Sequence, residues 1–318
     1  MTAWVSMATQ WRGVFTIPVT PFDAVGELDE QSLARCVRFC VDAGAHGVVA
    51  PVNASEAPLL SDDERKRVAE IVVATVARRL PVVVGVSGVT TRQSVDLARH
   101  ARQAGAEAVI AMPPYVKKAS PLEIVDFYQQ IARATELPVF IQNYGPPVGT
   151  PMPARFIADL VQQIEGVEYV KEETPLAVHL MSELLSVAGP RLKGIMGGMA
   201  GRYLFNEVRR GACGTMPACE VTDVDVLIWN ALEAGDMVRA RQVHNRLIPL
   251  LNIEAMYGAA VYKEVLRRRG IIEHAMLRGP GVVTLDSFDQ QELDAILDDI
   301  GELFTLAPLR ASDARVPV

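Results

Sequence analysis

Residues 81–112 read PVVVGVSGVTTRQSVDLARHARQAGAEAVIAM. The stretch opens on a short apolar run, Pro81–Gly85, and crosses a polar turn. It then enters an amphipathic segment, Thr91–Ala104, which stops at Gly105 before a second apolar run, Glu107–Met112. Runs this short, rich in β-branched residues and without apolar/polar alternation, fit strands buried on both faces of a parallel sheet. The intervening segment supplies the crossover helix that such a sheet requires.

The same unit recurs on either side. Runs at Gly13–Val19, Gly47–Pro51, Pro138–Gln142, Val167–Lys171, Leu192–Met196 and Ala212–Met216 bring the strands to eight. Helical patterns lie between them at Leu28–Ala43, Ser61–Arg79, Pro121–Thr135, Pro153–Ile164, Pro175–Val187 and Arg202–Arg210. Ser61 and Glu64 form a capping box, in which each side chain satisfies the other's orphan backbone amide. Eight strands alternating with helices predict an α/β fold, a (β/α)8 TIM barrel. A doubly wound sheet would want a G-x-G-x-x-G after its first strand, and none is there. The barrel is expected over residues 11–222, with a C-terminal helical extension packed on it over 223–304. Residues 1–10 and 305–318 are expected to be flexible tails.

Composition narrows the function classes. Half of the 318 residues are hydrophobic and 22% are charged, enough to build a large core, and the net charge of -7 leaves no basic excess to neutralise a phosphate backbone. No nucleic-acid partner is expected. The clusters Glu64–Arg67, Arg78-Arg79 and Arg267–Arg269 read as solvated helix faces. Four cysteines in a chain of this length make no disulfide framework, and Cys36 and Cys40, four apart on one helix, read as core thiols. The N-terminal residues carry no charged, apolar leader, and no run reaches the roughly 18 apolar residues of a membrane span. The expectation is a cytoplasmic protein without a membrane partner.

In such barrels the chemistry sits at the C-terminal ends of the strands. Lys171 closes the apolar run V-E-Y-V-K and should point into the mouth, where burial disfavours its charged form and frees an amine to attack a ketone. The plainer reading is a strand-end lysine paired with Glu172 or Glu173. The five histidines fall on helices or turns, so no metal-ligating cluster is expected.

Five strings together resemble the dihydrodipicolinate synthase/N-acetylneuraminate lyase family, class I Schiff-base lyases on a (β/α)8 barrel. They are GVFTIPVTPF (13–22), NASEAPLLSDDER (53–65), AMPPY (111–115), LPVFIQNY (137–144) and YVKEETP (169–175). The resemblance spans roughly residues 11–304. It implies that Lys171, in the place of the lysine that closes the sixth strand, forms an imine with a small-molecule 2-keto acid, with no cofactor. It also implies a homotetramer or homodimer.

The departures narrow the reaction. The family's G-T-T-G-E stands as Val52-Asn53-Ala54-Ser55-Glu56, and the tyrosine of its Y-N-V-P aligns with Gln142. The arginine of its G-R-T-G is missing from Pro146-Pro147-Val148-Gly149, and the tyrosine lent by a neighbouring subunit falls at Val116. A synthase for lysine biosynthesis is therefore not expected. Retro-aldol cleavage needs a base for the carbon 4 hydroxyl proton, and an amide such as Gln142 cannot titrate. Dehydration removes a proton from carbon 3 instead and leaves the carbon–carbon bond intact.

An asparagine with S-E, a fifth-strand glutamine, K-E-E-T-P and G-A-C-G-T-M resemble the 2-keto-3-deoxy-L-arabonate dehydratases. The match departs at Asn143, where an aspartate is expected, and in the Gly145–Thr150 turn. The catalytic set expected is Lys171 with Tyr144 and Glu173 as proton-transfer groups. Substrate contacts are expected from Asn53, Ala54, Ser55, Gln142, Asn143, Gly197, Gly198 and Thr215. Structural roles compete for most of these: a strand-to-helix turn at 53–55 and 197–198, a brace for Glu56, and a barrel-layer position for Thr215. The first reading is a dehydratase of a 2-keto-3-deoxy sugar acid giving a semialdehyde. A pyruvate-dependent aldolase is the alternative, and a non-catalytic keto-acid-binding paralogue is a third.

Overall fold

A computed structural model describes residues 11–145 and 148–306. The tails expected at 1–10 and 305–318 fall outside it, apart from Thr305 and Leu306, as do Pro146 and Pro147. Thr305 is held, its backbone N–H donating to the Asp223 carboxylate at 2.9 Å.

All eight expected strands form: β1 (Gly13–Thr16), β2 (Gly47–Val49), β3 (Val82–Gly85), β4 (Ala108–Ala111), β5 (Val139–Tyr144), β6 (Val167–Glu173), β7 (Gly194–Gly197) and β8 (Gly214–Thr215). They follow one another in chain order around a closed barrel. Helices α1 (Glu30–Asp42), α2 (Asp62–Val76), α3 (Thr91–Ala104), α4 (Pro121–Thr135), α5 (Ala154–Gln163), α6 (Ala177–Val187) and α7 (Leu204–Arg209) alternate with them. Four more follow: α8 (Thr222–Glu233), α9 (Met237–Tyr257), α10 (Ala259–Arg268) and α11 (Ser287–Ile300). None of the described helices is long and apolar enough to cross a membrane.

The structure resolves into two compact units, one of residues up to Phe15 with Pro81–Met216, the other of Thr16–Leu80 with the chain from Pro217 on. In the first unit β1 pairs with β8, and β3 to β8 pair in sequence, all in parallel. Phe140 of β5 stacks on Tyr169 of β6 with ring centroids 4.5 Å apart, and Trp11 stacks on Tyr169 at 5.3 Å. Strand residues two apart share a face. Tyr169 is therefore an apolar floor one step below Lys171, and Phe140 one step below Gln142.

β5 and β6 run further than their apolar composition suggests, to Tyr144 and Glu173. The extension is polar, and it stays in the sheet because its side chains satisfy one another, as described below.

The second unit holds α1, α2, β2 and α8 to α11. Ser61 and Glu64 form the expected capping box at the start of α2: Glu64 donates its backbone N–H to Ser61 Oγ at 3.2 Å, and Ser61 donates its own to the Glu64 carboxylate at 2.8 Å. Such a cap is worth about 1 kcal/mol. Cys36, Cys40 and Cys219 are buried free thiols.

The basic run that closes α10 departs at its last residue from the solvated face expected of it. Arg269 is buried, donates to both oxygens of Asp223 at 2.9 and 2.7 Å, and lies over the rings of Phe39 and Phe304. A fork-to-fork pair between stacked rings gives this guanidinium enough partners to leave water.

Candidate active site

The site in the first unit is built on the register of β5 against β6, which pairs Gln142 with Lys171, Asn143 with Glu172 and Tyr144 with Glu173. Residues two apart share a face, so Gln142 and Tyr144 stand beside Lys171 and Glu173. Lys171 is buried, and its Nζ lies 3.0 Å from Glu173 Oε1; the two side chains are only 5% and 8% exposed. The other Glu173 oxygen accepts from Gln142 Nε2 at 2.7 Å. The sequence-predicted residues Lys171, Glu173 and Gln142 thus form one connected group above the aromatic floor. Glu173 is fixed by two donors, beside the only amine of the group. Tyr144 is half-buried, and burial together with the Glu173 charge raises its phenol above the ordinary tyrosine range. At neutral pH it carries its proton, so it can serve as an acid or a hydrogen-bond donor and not as a base.

The alternate residues turn to other partners. Asn143 donates to Glu172 at 2.7 Å and to the Met152 carbonyl at 3.1 Å, and accepts from the Met152 N–H at 2.8 Å. Both its donors and its acceptor are engaged, so in this structure Asn143 ties down the segment after β5. Glu172 is fully buried and also accepts from the backbone N–H and hydroxyl of Thr174. Burial raises its pKa, against the pull of these donors.

Glu207 of α7, absent from the sequence-based set, lies behind the same strands. It is 1% exposed, and its Oε2 has no hydrogen-bond partner among the described residues. Burial, then the charges of Glu173 and Glu172, push its carboxyl up to about 8.

Gly197 and Gly198 owe their identity to these carboxyls. A Cβ on Gly197 would stand 2.0 Å from Glu207 Oε2, and one on Gly198 would stand 2.2 Å from Glu173 Cγ. Neither distance is tolerable. Gly198→Ala should therefore push Glu173 off Lys171, at a cost of about 1–3 kcal/mol in stability from overpacking. Thermal unfolding and turnover measured together check this, and both should fall. Thr215 of β8 pairs with Gly197 and Val14, is buried, and its Oγ1 has no partner among the described residues.

Asn53, Ala54 and Ser55 belong to the second unit, where they form a 3-10 turn after β2. Ser55 Oγ donates to the Pro18 carbonyl at 2.7 Å, and Thr20 Oγ1 donates to the Ser55 carbonyl at 2.7 Å. The turn ends at Glu56, whose φ of 55° is left-handed. The Glu56 carboxylate meets the ammonium of Lys263, a wholly buried lysine of α10 that also donates to the Met276 carbonyl at 2.7 Å. That ammonium lies 4.2 Å over the ring of Phe22. Within this unit the turn is thus braced at both ends.

Known proteins resemble this chain in sequence and in fold. Residues 10–300 match the model of the dihydrodipicolinate synthetase family. The chain is 32% identical over 279 residues to an L-2-keto-3-deoxyarabonate dehydratase of Azospirillum brasilense, covering 86% of this chain and 90% of that protein. It is 30% identical to a 4-hydroxy-tetrahydrodipicolinate synthase of Chelativorans sp., covering 92% and 99%. Among solved structures, a dihydrodipicolinate synthase from Rhodopseudomonas palustris superposes with a TM-score of 0.83 at 27% identity, covering 91% and 97%.

Proposed function

Because this chain belongs to the dihydrodipicolinate synthetase family, whose members are class I lyases acting through a lysine Schiff base, we propose that it dehydrates a 2-keto-3-deoxy sugar acid to a 2-keto acid semialdehyde. Lys171 attacks the carbon 2 carbonyl and releases water as the imine forms. The protonated imine acidifies carbon 3, Glu173 takes the carbon 3 proton, and the resulting enamine expels the carbon 4 hydroxyl as water, with Tyr144 donating the proton. Hydrolysis of the imine and tautomerisation then give the semialdehyde and regenerate Lys171. Asn53 and Ala54 bind the substrate carboxylate in this reading, while Ser55, whose N–H and hydroxyl are given to the Val52 and Pro18 carbonyls, braces their turn; Gln142 holds Glu173, and Gly197 and Gly198 leave room for it. The protein works as a cytoplasmic homotetramer or homodimer and needs no metal or organic cofactor.

The observation that carries the proposal is the placing of Glu173 between Lys171 at 3.0 Å and Gln142 at 2.7 Å. It supports a reading in which Glu173 is the base beside the imine, and in which Gln142, an amide that cannot titrate, stands where the family resemblance implies a phenol that would drive cleavage. The 32% identity to a dehydratase supports the same reading.

The test is incubation with 2-keto-3-deoxy-L-arabonate, borohydride trapping, and analysis of peptides and products. The expected result is an adduct on the Lys171 peptide with a semialdehyde and no pyruvate. Free pyruvate would make the protein an aldolase, and no adduct with any 2-keto acid would overturn the Schiff-base reading.

A further inference from the structure

We propose that Lys263 is a positioning residue for substrate capture: through its ion pair with Glu56 it fixes the turn whose open side, Asn53 and Ala54, receives the substrate carboxylate. It rests on the carboxylate-binding role given to Asn53 and Ala54 above.

The turn has a closed side and an open one. Val52, Ser55, Glu56 and Ala57 are buried, while Asn53 and Ala54 are half-exposed. Backbone bonds hold the closed side. Ser55 and Ala57 donate their N–H groups to the Val52 carbonyl at 2.9 and 3.2 Å, and Glu56 donates its own to the Asn53 carbonyl at 2.9 Å. Glu56 is thus bonded directly to a residue assigned to the substrate. Its φ of 55° is left-handed, a conformation that a residue with a side chain keeps only where its surroundings impose it.

Lys263 supplies that surrounding. Its wholly buried ammonium pairs with the Glu56 carboxylate, donates to the Met276 carbonyl at 2.7 Å and lies 4.2 Å over the ring of Phe22. Phe22 is itself fully buried, and the Arg278 guanidinium covers its ring at 4.0 Å. Arg278 in turn donates to the Gly26 carbonyl at 2.8 Å and pairs with Glu64 at 2.7 Å. α10, the chain at Met276 and the loop at Phe22 therefore meet at one charge, and the end of the turn is tied to it. A buried ion pair adds little stability over an apolar pair of the same volume. Its use here is geometric: the carboxylate has one place to be, and the turn has one place with it.

The kinetic consequence is specific. Groups that hold a substrate carboxylate do so before and during the reaction alike, so a turn free to shift weakens capture without slowing the step at the amine.

The experiment measures borohydride trapping at Lys171 against pyruvate concentration, well below the unfolding midpoint of each protein. Pyruvate presents a carboxylate and a carbonyl with no sugar tail. Wild type is compared with Lys263→Met and with the double variant Glu56→Gln, Lys263→Met. In Lys263→Met the half-saturating concentration should rise about fivefold or more, while the trapping rate at saturation stays within about twofold.

The double variant separates positioning from stability, and carries the test if Lys263→Met folds poorly. It should regain part of the unfolding midpoint, because no charge is left unpaired, yet its half-saturating concentration should stay raised, because the tie is still cut. A half-saturating concentration that returns to the wild-type value along with the midpoint would make Lys263 a stabilising residue only and overturn the inference. So would folded variants that saturate as wild type does, or that lose trapping rate at saturation alone. In each of those cases wild type still forms its adduct and the functional reading stands. No adduct in wild type at any pyruvate concentration would overturn that reading and this inference with it.

Discussion

Lys171→Ala should abolish the borohydride-trapped adduct and lower turnover by about 10⁴-fold or more, as removal of an essential nucleophile does in covalent catalysis. On the proposed reading, in which Asn53 and Ala54 hold the substrate carboxylate, the alanine variant should still bind a 2-keto acid. Glu173→Gln separates the two roles in the Lys171–Glu173 pair. It keeps a hydrogen-bonding partner near Gln142 but removes the base, so the adduct should still be trapped while product formation falls by about 10²–10⁴-fold. The same loss of trapping in both variants would mean that Glu173 serves to activate Lys171 and not to move the carbon 3 proton. Peptide mass analysis and product release, measured on the same samples, decide between these outcomes.

The second large effect is on stability. Lys263→Met leaves the buried Glu56 carboxylate without its cation and should destabilise the fold by about 3–5 kcal/mol, the usual cost of removing one partner from a buried pair. In a chain of this size that lowers the unfolding midpoint by on the order of 10 °C. The double variant Glu56→Gln, Lys263→Met should recover part of the loss, because neither member is then charged. It should not recover all of it, since the Met276 carbonyl that Lys263 serves at 2.7 Å stays unpaired. Denaturant unfolding of the two single variants and the double variant measures the coupling directly.

Much of the fold is legible in the chain because its signals are local. Eight apolar runs, the capping serine before α2 and the glycine after α3 each act within a few residues. Lys171 and Glu173 are legible for a related reason: they close a largely apolar strand, and a parallel barrel has one place for a charged residue at that end. Glu207 is not legible. In L-F-N-E-V-R-R it reads as one more helical carboxylate, and its burial depends on Gly197, which comes from a different strand. Arg269 misleads in the same way, ending a basic run that looks solvated while its partners, Asp223, Phe39 and Phe304, are distant in sequence. Asn143 reads as a ligand-facing amide at a strand end. It is instead spent on Met152 and Glu172, which alternation along β5 permits but does not announce.

The grip of Asn143 on both sides of the Met152 peptide has an evolutionary meaning. It closes the chain between Tyr144 and Met152 at its base, so changes of length within that segment need not travel down β5 to Gln142. Lengthening a loop so anchored is cheap, about 0.6 kcal/mol for each doubling. The rim of the barrel then behaves as a replaceable cassette: its length can change while the amine, its carboxylate and the aromatic floor beneath them stay where they are.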